Sequence, residues 1–259
     1  MRRDVLALRA FYASPLGQAA RAMLDAKVGE AWGSCANLDV LGLGYAAPFL
    51  DLALRTARRA VAASPAAQGV EVWPRSERNL AVLVDEEALP FAQSQFDRVL
   101  AVHAVEEAND PSRLMQEISR VLTPSGRTIV AVAARHGLWS HTDKTPFGHG
   151  RPYTRRQLET LLIEAELEPT GWTRALYAPP VAWAAPWAES IEQVGAKLWP
   201  GFSGAILMEA TKPKFALRSQ GKPVRARVFA PVLAPTAAPI PSANAPAGSC
   251  ALGGTRRTS

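Results

Sequence analysis

The sequence predicts an α/β fold in which a mostly parallel sheet is covered by helices on both faces. Short apolar runs, typical of strands that are buried on both sides, recur between residues 37 and 212. Amphipathic stretches with helix-capping residues separate these runs, and the connections are short. Alternation of this kind is typical of parallel strands joined by crossover helices.

The first strand and helix lie on either side of a glycine turn. Residues 37–43 form an apolar run that leads into the Gly-Leu-Gly turn at 42–44. A helix is expected over about 48–60, because its proline suits the first turn of a helix. A second strand is expected at 60–64. A strand, a glycine turn and a helix together form the first unit of a Rossmann-like sheet.

The later elements have clear boundary signals. A side-chain cap followed by proline, or a capping box, marks the start of two helices, and turn residues separate the strands. The expected strands are Leu80–Val84, Phe96–Val102, Arg127–Ala133 and Ala205–Ala210, and the expected helices begin after Asp110 and Thr154.

The chain divides into three regions. Residues 1–36 have apolar side chains at three- and four-residue spacing, so we expect a helical cap over the core or over a pocket. Residues 37–215 form the main domain. Residues 216–259 are rich in Pro, Ala, Ser and Gly without amphipathic period, and we expect them to be disordered.

Composition argues against a membrane protein and against an extended nucleic-acid surface. No stretch approaches the roughly 18 uninterrupted apolar residues of a membrane span, and Arg2-Arg3 precedes no apolar signal-peptide core, so we expect a cytoplasmic protein. The formal net charge is +6, but seven basic and no acidic residues lie from Lys214 onward. The body is therefore nearly neutral. Weak binding of an anionic partner by the basic tail stays a minor alternative.

Neither a disulfide nor a metal site is indicated. Cys35 and Cys250 are far apart in the sequence, and neither has a Cys or His at metal-binding spacing. His136, His141 and His149 lie in one segment, but their spacing matches no compact ligand motif.

Five motifs, in the correct order, resemble the class I S-adenosylmethionine-dependent methyltransferases. Residues 85–91 (DEEALPF) resemble the family's D-x-x-x-L-P-F segment, and residues 94–97 (SQFD) resemble the start of its next strand. Residues 120–127 (RVLTPSGR) resemble its R-V-L-x-P-G-G turn, residues 152–162 the helix before its sixth strand, and residues 204–213 its closing strand. The resemblance implies a Rossmann-like, seven-stranded sheet whose last strand is antiparallel.

The resemblance also implies S-adenosylmethionine as the cofactor. Its amino-acid end would lie against the glycine turn, where glycine allows close approach of the backbone. The turn residues concerned are Gly42, Leu43, Gly44 and Tyr45. Asp85 follows a buried strand at the edge where open α/β sheets bind ligands, and it matches the family's adenine-contacting acid. The backbone N–H of Glu86 lies beside it.

Several residues depart from the family pattern. Ala46 replaces the third glycine, and Val40 stands where an acid usually precedes the turn; Asp39 is one place away and should point to the opposite face. The second strand ends without the usual ribose-binding acid, although Ser64 or Gln68 could offer a neutral hydrogen bond. These departures support a second hypothesis, a binding or regulatory protein with weak or absent catalysis.

The acceptor site is expected beyond the fourth strand. His103 lies where the family places residues that face the methyl group, so it is the candidate general base, with a structural role as the alternative. The long segment 136–153 is expected to form a lid over a small-molecule acceptor. Its walls would be Trp139, Phe147 and Tyr153, and Arg151 would contact an anionic group.

Three further tryptophans lie near the end of the main domain. We expect Trp183, Trp187 and Trp199 either to extend the apolar wall of the acceptor site or to fill the core. The oligomeric state and the identity of the acceptor do not follow from the sequence.

Overall fold

The computed structural model describes residues 3–75, 78–214 and 227–228. Its strands are β1 Asp39–Gly44, β2 Arg59–Pro65, β3 Ala81–Val84, β4 Phe96–Val102, β5 Leu122–Ala133, β6 Glu168–Ala175, β7 Ala205–Thr211 and β8 Arg227–Val228. They form one sheet in the order β3-β2-β1-β4-β5-β7-β6-β8. Strands β1 to β5 pair in parallel, whereas β7 is antiparallel to both β5 and β6. The predicted sheet with an antiparallel closing strand is confirmed.

The short strand β8 was not expected. It pairs in parallel with β6 at Gly171 and Trp172, within a segment that the sequence predicts to be disordered. An edge strand presents unpaired backbone N–H and C=O groups, and these can bind even a short extended segment. The rest of the predicted tail, residues 216–226 and 229–259, lies outside the described residues.

Six α-helices surround the described part of the sheet. They are α1 Val5–Ala13, α2 Pro15–Trp32, α3 Asp51–Thr56, α4 Pro111–Val121, α5 Arg155–Glu164 and α6 Ala188–Leu198. The predicted caps are present: the side chain of Asp110 accepts from the backbone N–H of Arg113, and Thr154 and Gln157 form a reciprocal capping box. Local capping therefore determines where α4 and α5 begin.

The helix after the glycine turn is shorter than predicted. Residues 47–49 form a single 3₁₀ turn, and α3 ends at Thr56 because Ala57 has extended backbone angles. The backbone N–H of Arg58 donates to the carbonyl of Leu38 at 2.9 Å, so the chain has already begun to pair with β1. Strand pairing thus ends the helix several residues before the predicted end.

Helices cover both faces of the sheet. Buried side chains of α1, α2 and α3 pack with one face, while those of α4 and α5 pack with the other. Helices α1 and α2 meet at Ser14, whose hydroxyl accepts from the N–H of Gly17 at 3.1 Å and caps α2. None of the helices in the described ranges combines the length and apolar character needed to cross a membrane.

Candidate cofactor and acceptor site

The glycine turn at the end of β1 is tightly packed. Gly44 has φ +78°, and a Cβ there would lie 2.4 Å from the carbonyl oxygen of Val102 and 2.9 Å from the Cβ of Ala104. The backbone N–H of Tyr45 also donates to Val102 at 2.8 Å. Contact with the adjoining strand β4 therefore requires glycine at position 44, whatever ligand lies nearby.

A buried amide, that of Gln68, follows the end of β2. Gln68 is only 1% exposed, and within the described ranges its side-chain nitrogen and oxygen have no hydrogen-bond partner. Its backbone is fixed, because its N–H donates to Pro65 at 2.9 Å and its carbonyl accepts from Val5 at 2.8 Å. Ser64 is also buried and donates weakly to the carbonyl of Gly44, at 3.4 Å.

Glu71, the first acidic residue after β2, connects its loop to the glycine turn. The hydroxyl of Tyr45 donates to Glu71 at 3.1 Å, and the guanidinium groups of Arg75 and Arg9 lie 3.1 and 3.6 Å from the same carboxylate. Burial and the negative charge of Glu71 both raise the pKa of Tyr45. Glu71 is thus engaged in contacts that position Tyr45.

Asp85 lies where the sequence predicts, directly after β3. Its side chain is exposed, and one carboxylate oxygen accepts from the backbone N–H of Glu87 at 2.9 Å. The side chain of the intervening Glu86 is buried. The contact with Glu87 orients the Asp85 carboxylate at the carboxyl edge of the sheet.

Two of the sequence motifs are joined by a single arginine. Arg120, from the RVL motif, donates to the carbonyls of Leu89 and Phe91 in the LPF motif, at 2.8 Å each. The carboxylate of Glu117 accepts from the N–H of Leu89 at 2.8 Å and pairs with Arg120 at 2.7 Å. Hydrogen bonding from Arg120 holds the pKa of Glu117 below its ordinary value. The pair fixes the loop that begins at Asp85.

Sequence reasoning did not single out Glu117. Its position in a predicted amphipathic helix gave no signal of function, because its partner Leu89 lies 28 residues away.

His103 lies in a buried aromatic cluster beyond β4. It has φ +50°, and its Nε2 is 2.7 Å from the hydroxyl of Tyr12, a residue that the sequence analysis did not select. The ring of Phe147 packs against His103 at 4.7 Å, and Tyr12 stacks on Tyr45 at 5.5 Å. Burial, reinforced by the charge of Arg3, lowers the pKa of His103 to about 3. The imidazole is therefore neutral near pH 7.

The four residues predicted to contact the methyl acceptor lie in two separate places. Trp139 and Phe147 are buried beside His103, and the indole N–H of Trp139 donates to Ala178 at 2.7 Å. Arg151 and Tyr153 instead line an open surface groove. The structure therefore does not bring the four side chains together as one wall.

Trp183, Trp187 and Trp199 are 72%, 65% and 53% exposed, so the prediction that they fill the core is wrong. The alternative, that they extend the apolar wall of the acceptor site, stays a prediction. Helix α6 packs through its small residues instead: a Cβ on Gly195 would lie 2.6 Å from the Cβ of Tyr177.

The histidines of segment 136–153 do not form a metal centre in the described ranges, where no three His, Cys, Asp or Glu side chains are grouped as ligands. His149 instead contacts the guanidinium of Arg3, at 2.6 Å.

The family comparison identifies the central part of the chain. Residues 38–130 match the methyltransferase domain family. The bifunctional biotin biosynthesis protein BioHC of Cellvibrio japonicus is 34% identical over 95 residues, which cover 36% of this chain and 19% of that protein. The uncharacterized protein YafE of Escherichia coli K12 is 32% identical over 88 residues, covering 31% and 42%. The chain thus spans less than half the length of these curated relatives.

Solved structures share the fold at low sequence identity. A chain in the Haloferax volcanii complex of the Trm112 methyltransferase activator with a methyltransferase has a TM-score of 0.59 at 19% identity, covering 82% of this chain and 100% of that chain. An S-adenosylmethionine-dependent methyltransferase from Archaeoglobus fulgidus has a TM-score of 0.55 at 15% identity, with coverage of 74% and 94%. These likenesses establish the fold.

Proposed function

Because residues 38–130 match a methyltransferase domain family and the fold is shared with S-adenosylmethionine-dependent methyltransferases, we propose that the chain transfers a methyl group from this cofactor to a small-molecule acceptor. The observation that carries the proposal is the arrangement at the carboxyl ends of β1, β2 and β3. Three groups follow these neighbouring strands: the glycine turn, the Gln68 amide, which has no partner among the described residues, and the exposed carboxylate of Asp85. Open α/β sheets bind ligands at this edge.

The residues present suit the cofactor. The amide of Gln68 offers one acceptor and two donors, which match ribose hydroxyls, and its burial without a partner is unfavourable unless a ligand pairs with it. Asp85 would accept from the adenine amino group, with the N–H of Glu86 beside it. The backbone at Gly42 and Gly44 would face the amino-acid end. Gln68 would thus take the role of the acid that the second strand lacks.

Catalysis would rest mainly on positioning. Bound S-adenosylmethionine supplies an electrophilic methyl group on its sulfonium, and transfer needs an aligned nucleophile with water excluded. His103, the candidate general base, would contact the acceptor by hydrogen bonding and not by taking its proton, since a pKa of about 3 makes its neutral ring a weak base; the Tyr12 hydroxyl would orient the ring. Phe147 would hold the other side of the ring.

A binding or regulatory role without catalysis is the second candidate. It is favoured by the way α1 covers the glycine turn: Tyr12 is buried and stacks on Tyr45, which is also buried. A chain that binds S-adenosylmethionine but transfers no methyl group would have this binding or regulatory role.

Calorimetry with S-adenosylhomocysteine on the full chain tests cofactor binding. We expect micromolar affinity for the wild-type protein. Asp85→Asn should weaken binding by about tenfold, because a charge-assisted hydrogen bond becomes a neutral one. Glu87→Gln is the matched control, since it removes a carboxylate two residues away and should leave affinity within about twofold. Failure to saturate at millimolar ligand would overturn the proposal.

Radiolabelled S-adenosylmethionine distinguishes the two candidates. The wild-type protein is incubated with labelled cofactor and fractionated small metabolites, and the label in each product is counted. Transfer to a small molecule that His103→Gln abolishes, while cofactor binding persists, supports the enzyme. Cofactor binding without transfer to any fraction supports the regulatory role.

A further inference from the structure

An open groove with three arginines lies beside α5. It has a volume of about 390 Å³ and includes Arg135, Arg151 and Arg156 in its lining, together with Tyr153 and Leu161. This volume suits a small organic ligand. None of the residues that line it belongs to the glycine turn, to the end of β2 or to the Asp85 loop. The groove is therefore separate from the proposed cofactor contacts.

The groove is positively charged at one end. Within the described ranges, the side chains of Arg151 and Arg156 make no hydrogen bond or ion pair, whereas Arg135 donates only to the carbonyl of Pro152, at 3.3 and 3.4 Å. Arg156 lies in the first turn of α5, where the helix dipole also favours an anion. Three guanidinium groups thus lie around one depression, and none of them is paired with a carboxylate of the described residues.

The acid that lines the groove lies at the far end of α5. Glu164 is eight residues after Arg156, so the two are separated by about 12 Å along the helix axis. Leu161 lies between them on the groove side, and the ring of Tyr153 is half-buried. The lining therefore changes from cationic through apolar to anionic along the helix.

The backbone beneath the groove is well fixed. The N–H of Tyr153 donates to Ala133 at the end of β5, at 2.9 Å, and the N–H of Arg151 donates to Glu106 beyond β4, at 2.8 Å. Gly150 has φ +75°, and a Cβ there would lie 2.4 Å from the carbonyl oxygen of Glu106. Such anchoring reduces the entropy that a ligand must overcome in ordering its site.

We propose that this groove binds an organic anion with at least two negative charges, a phosphate ester or a pair of carboxylates, joined to a compact apolar group. The planar guanidinium groups would bind the anionic oxygens, where bidentate contacts are strongest. The apolar group would lie against Tyr153 and Leu161. Glu164 would disfavour a second anionic group at the far end.

Calorimetry with phenyl phosphate and phthalate at low salt tests this proposal on the full chain. The first probe has a phosphate ester, the second has paired carboxylates, and each has one ring. We expect at least one of them to bind saturably, and Arg151→Gln or Arg156→Gln to weaken that binding by at least about tenfold. Inorganic phosphate should bind less tightly than phenyl phosphate, because it cannot contact Tyr153 and Leu161.

The control variant is Arg55→Gln, which removes an exposed arginine from α3 and should leave probe affinity within about twofold. The proposal is wrong if neither ring probe binds, or if both groove variants bind the probe as well as the wild-type protein does. Affinity for S-adenosylhomocysteine is measured on the same variants. Because the groove shares no residue with the cofactor contacts, this affinity reports on the methyltransferase proposal independently.

Discussion

Asp39 at the amino end of the parallel sheet and Gln68 at its carboxyl end differ in how their side chains are hydrogen-bonded. At the amino end, Asp39 forms two hydrogen bonds with the guanidinium of Arg58, and Asp97 accepts from the backbone of Asp39 at 2.9 Å. At the carboxyl end, the Gln68 amide has no described partner, and His103 is buried and neutral. Polar groups that are fully paired stabilise a fold, whereas buried groups without partners reduce its stability. The buried Gln68 amide supports the cofactor contact proposed at the carboxyl end, although Arg98 and Thr128, nearer the amino end, also have buried side-chain atoms without a partner in the described ranges.

The first expected effect is a loss of stability at the amino end. Asp39→Asn should lower the free energy of unfolding by about 1 kcal/mol, because the carboxylate loses its charge-assisted bonds to Arg58, whose guanidinium is largely exposed to solvent. Affinity for S-adenosylhomocysteine should change by less than about twofold. Urea denaturation and calorimetry measure the two quantities. A tenfold loss of affinity would contradict the proposed division between the ends.

A change of opposite sign is expected at the carboxyl end. Gln68→Leu should raise the free energy of unfolding by about 1–2 kcal/mol, since it removes a buried amide whose polar atoms lack partners. The same variant should bind S-adenosylhomocysteine about tenfold more weakly, through loss of the proposed ribose contact. Gln68→Glu is the control, because it keeps a polar side chain of similar size at this position. If Gln68→Leu keeps full affinity, Gln68 does not contact the cofactor.

The third effect appears only at acidic pH. The pKa of His103 is about 3 in the folded protein, against an ordinary value of 6.5. Between these values the unfolded chain holds a proton that the folded protein lacks, so stability falls as the pH decreases from 6.5 towards 3. The contribution approaches about 1.4 kcal/mol per pH unit. His103→Gln should flatten the dependence of unfolding free energy on pH by this amount, and an unchanged slope would show that His103 does not cause it.

Much of the fold was predictable because its signals are local. The caps at Asp110 and Thr154 form within the first turn of each helix, so neighbouring residues suffice to place the starts of α4 and α5. The position of Asp85 followed from the end of an apolar run. Predictions failed where distant contacts decide the outcome, as at α3, whose end is set by pairing between Arg58 and Leu38.

The candidate site was less predictable because its contacts are long-range. Tyr12 and His103 are 91 residues apart, and no pattern in either segment indicates that they meet. Trp139 and Arg151 lie in one loop, but burial of the first and exposure of the second assign them to different places. Composition could identify the loop as aromatic and polar, whereas only packing determines which side chains face solvent.

The hydrogen bonds that Arg120 and Glu117 make with the Asp85 loop affect which substitutions related chains can accept there. Both residues hold the loop through backbone groups of Leu89 and Phe91. The side chains of Glu87 and Ala88 are not part of that attachment, whereas Glu86 is buried, so mutation could exchange the first two while the loop keeps its path. A protein built in this way can acquire new ligand preferences through substitutions in two adjacent codons.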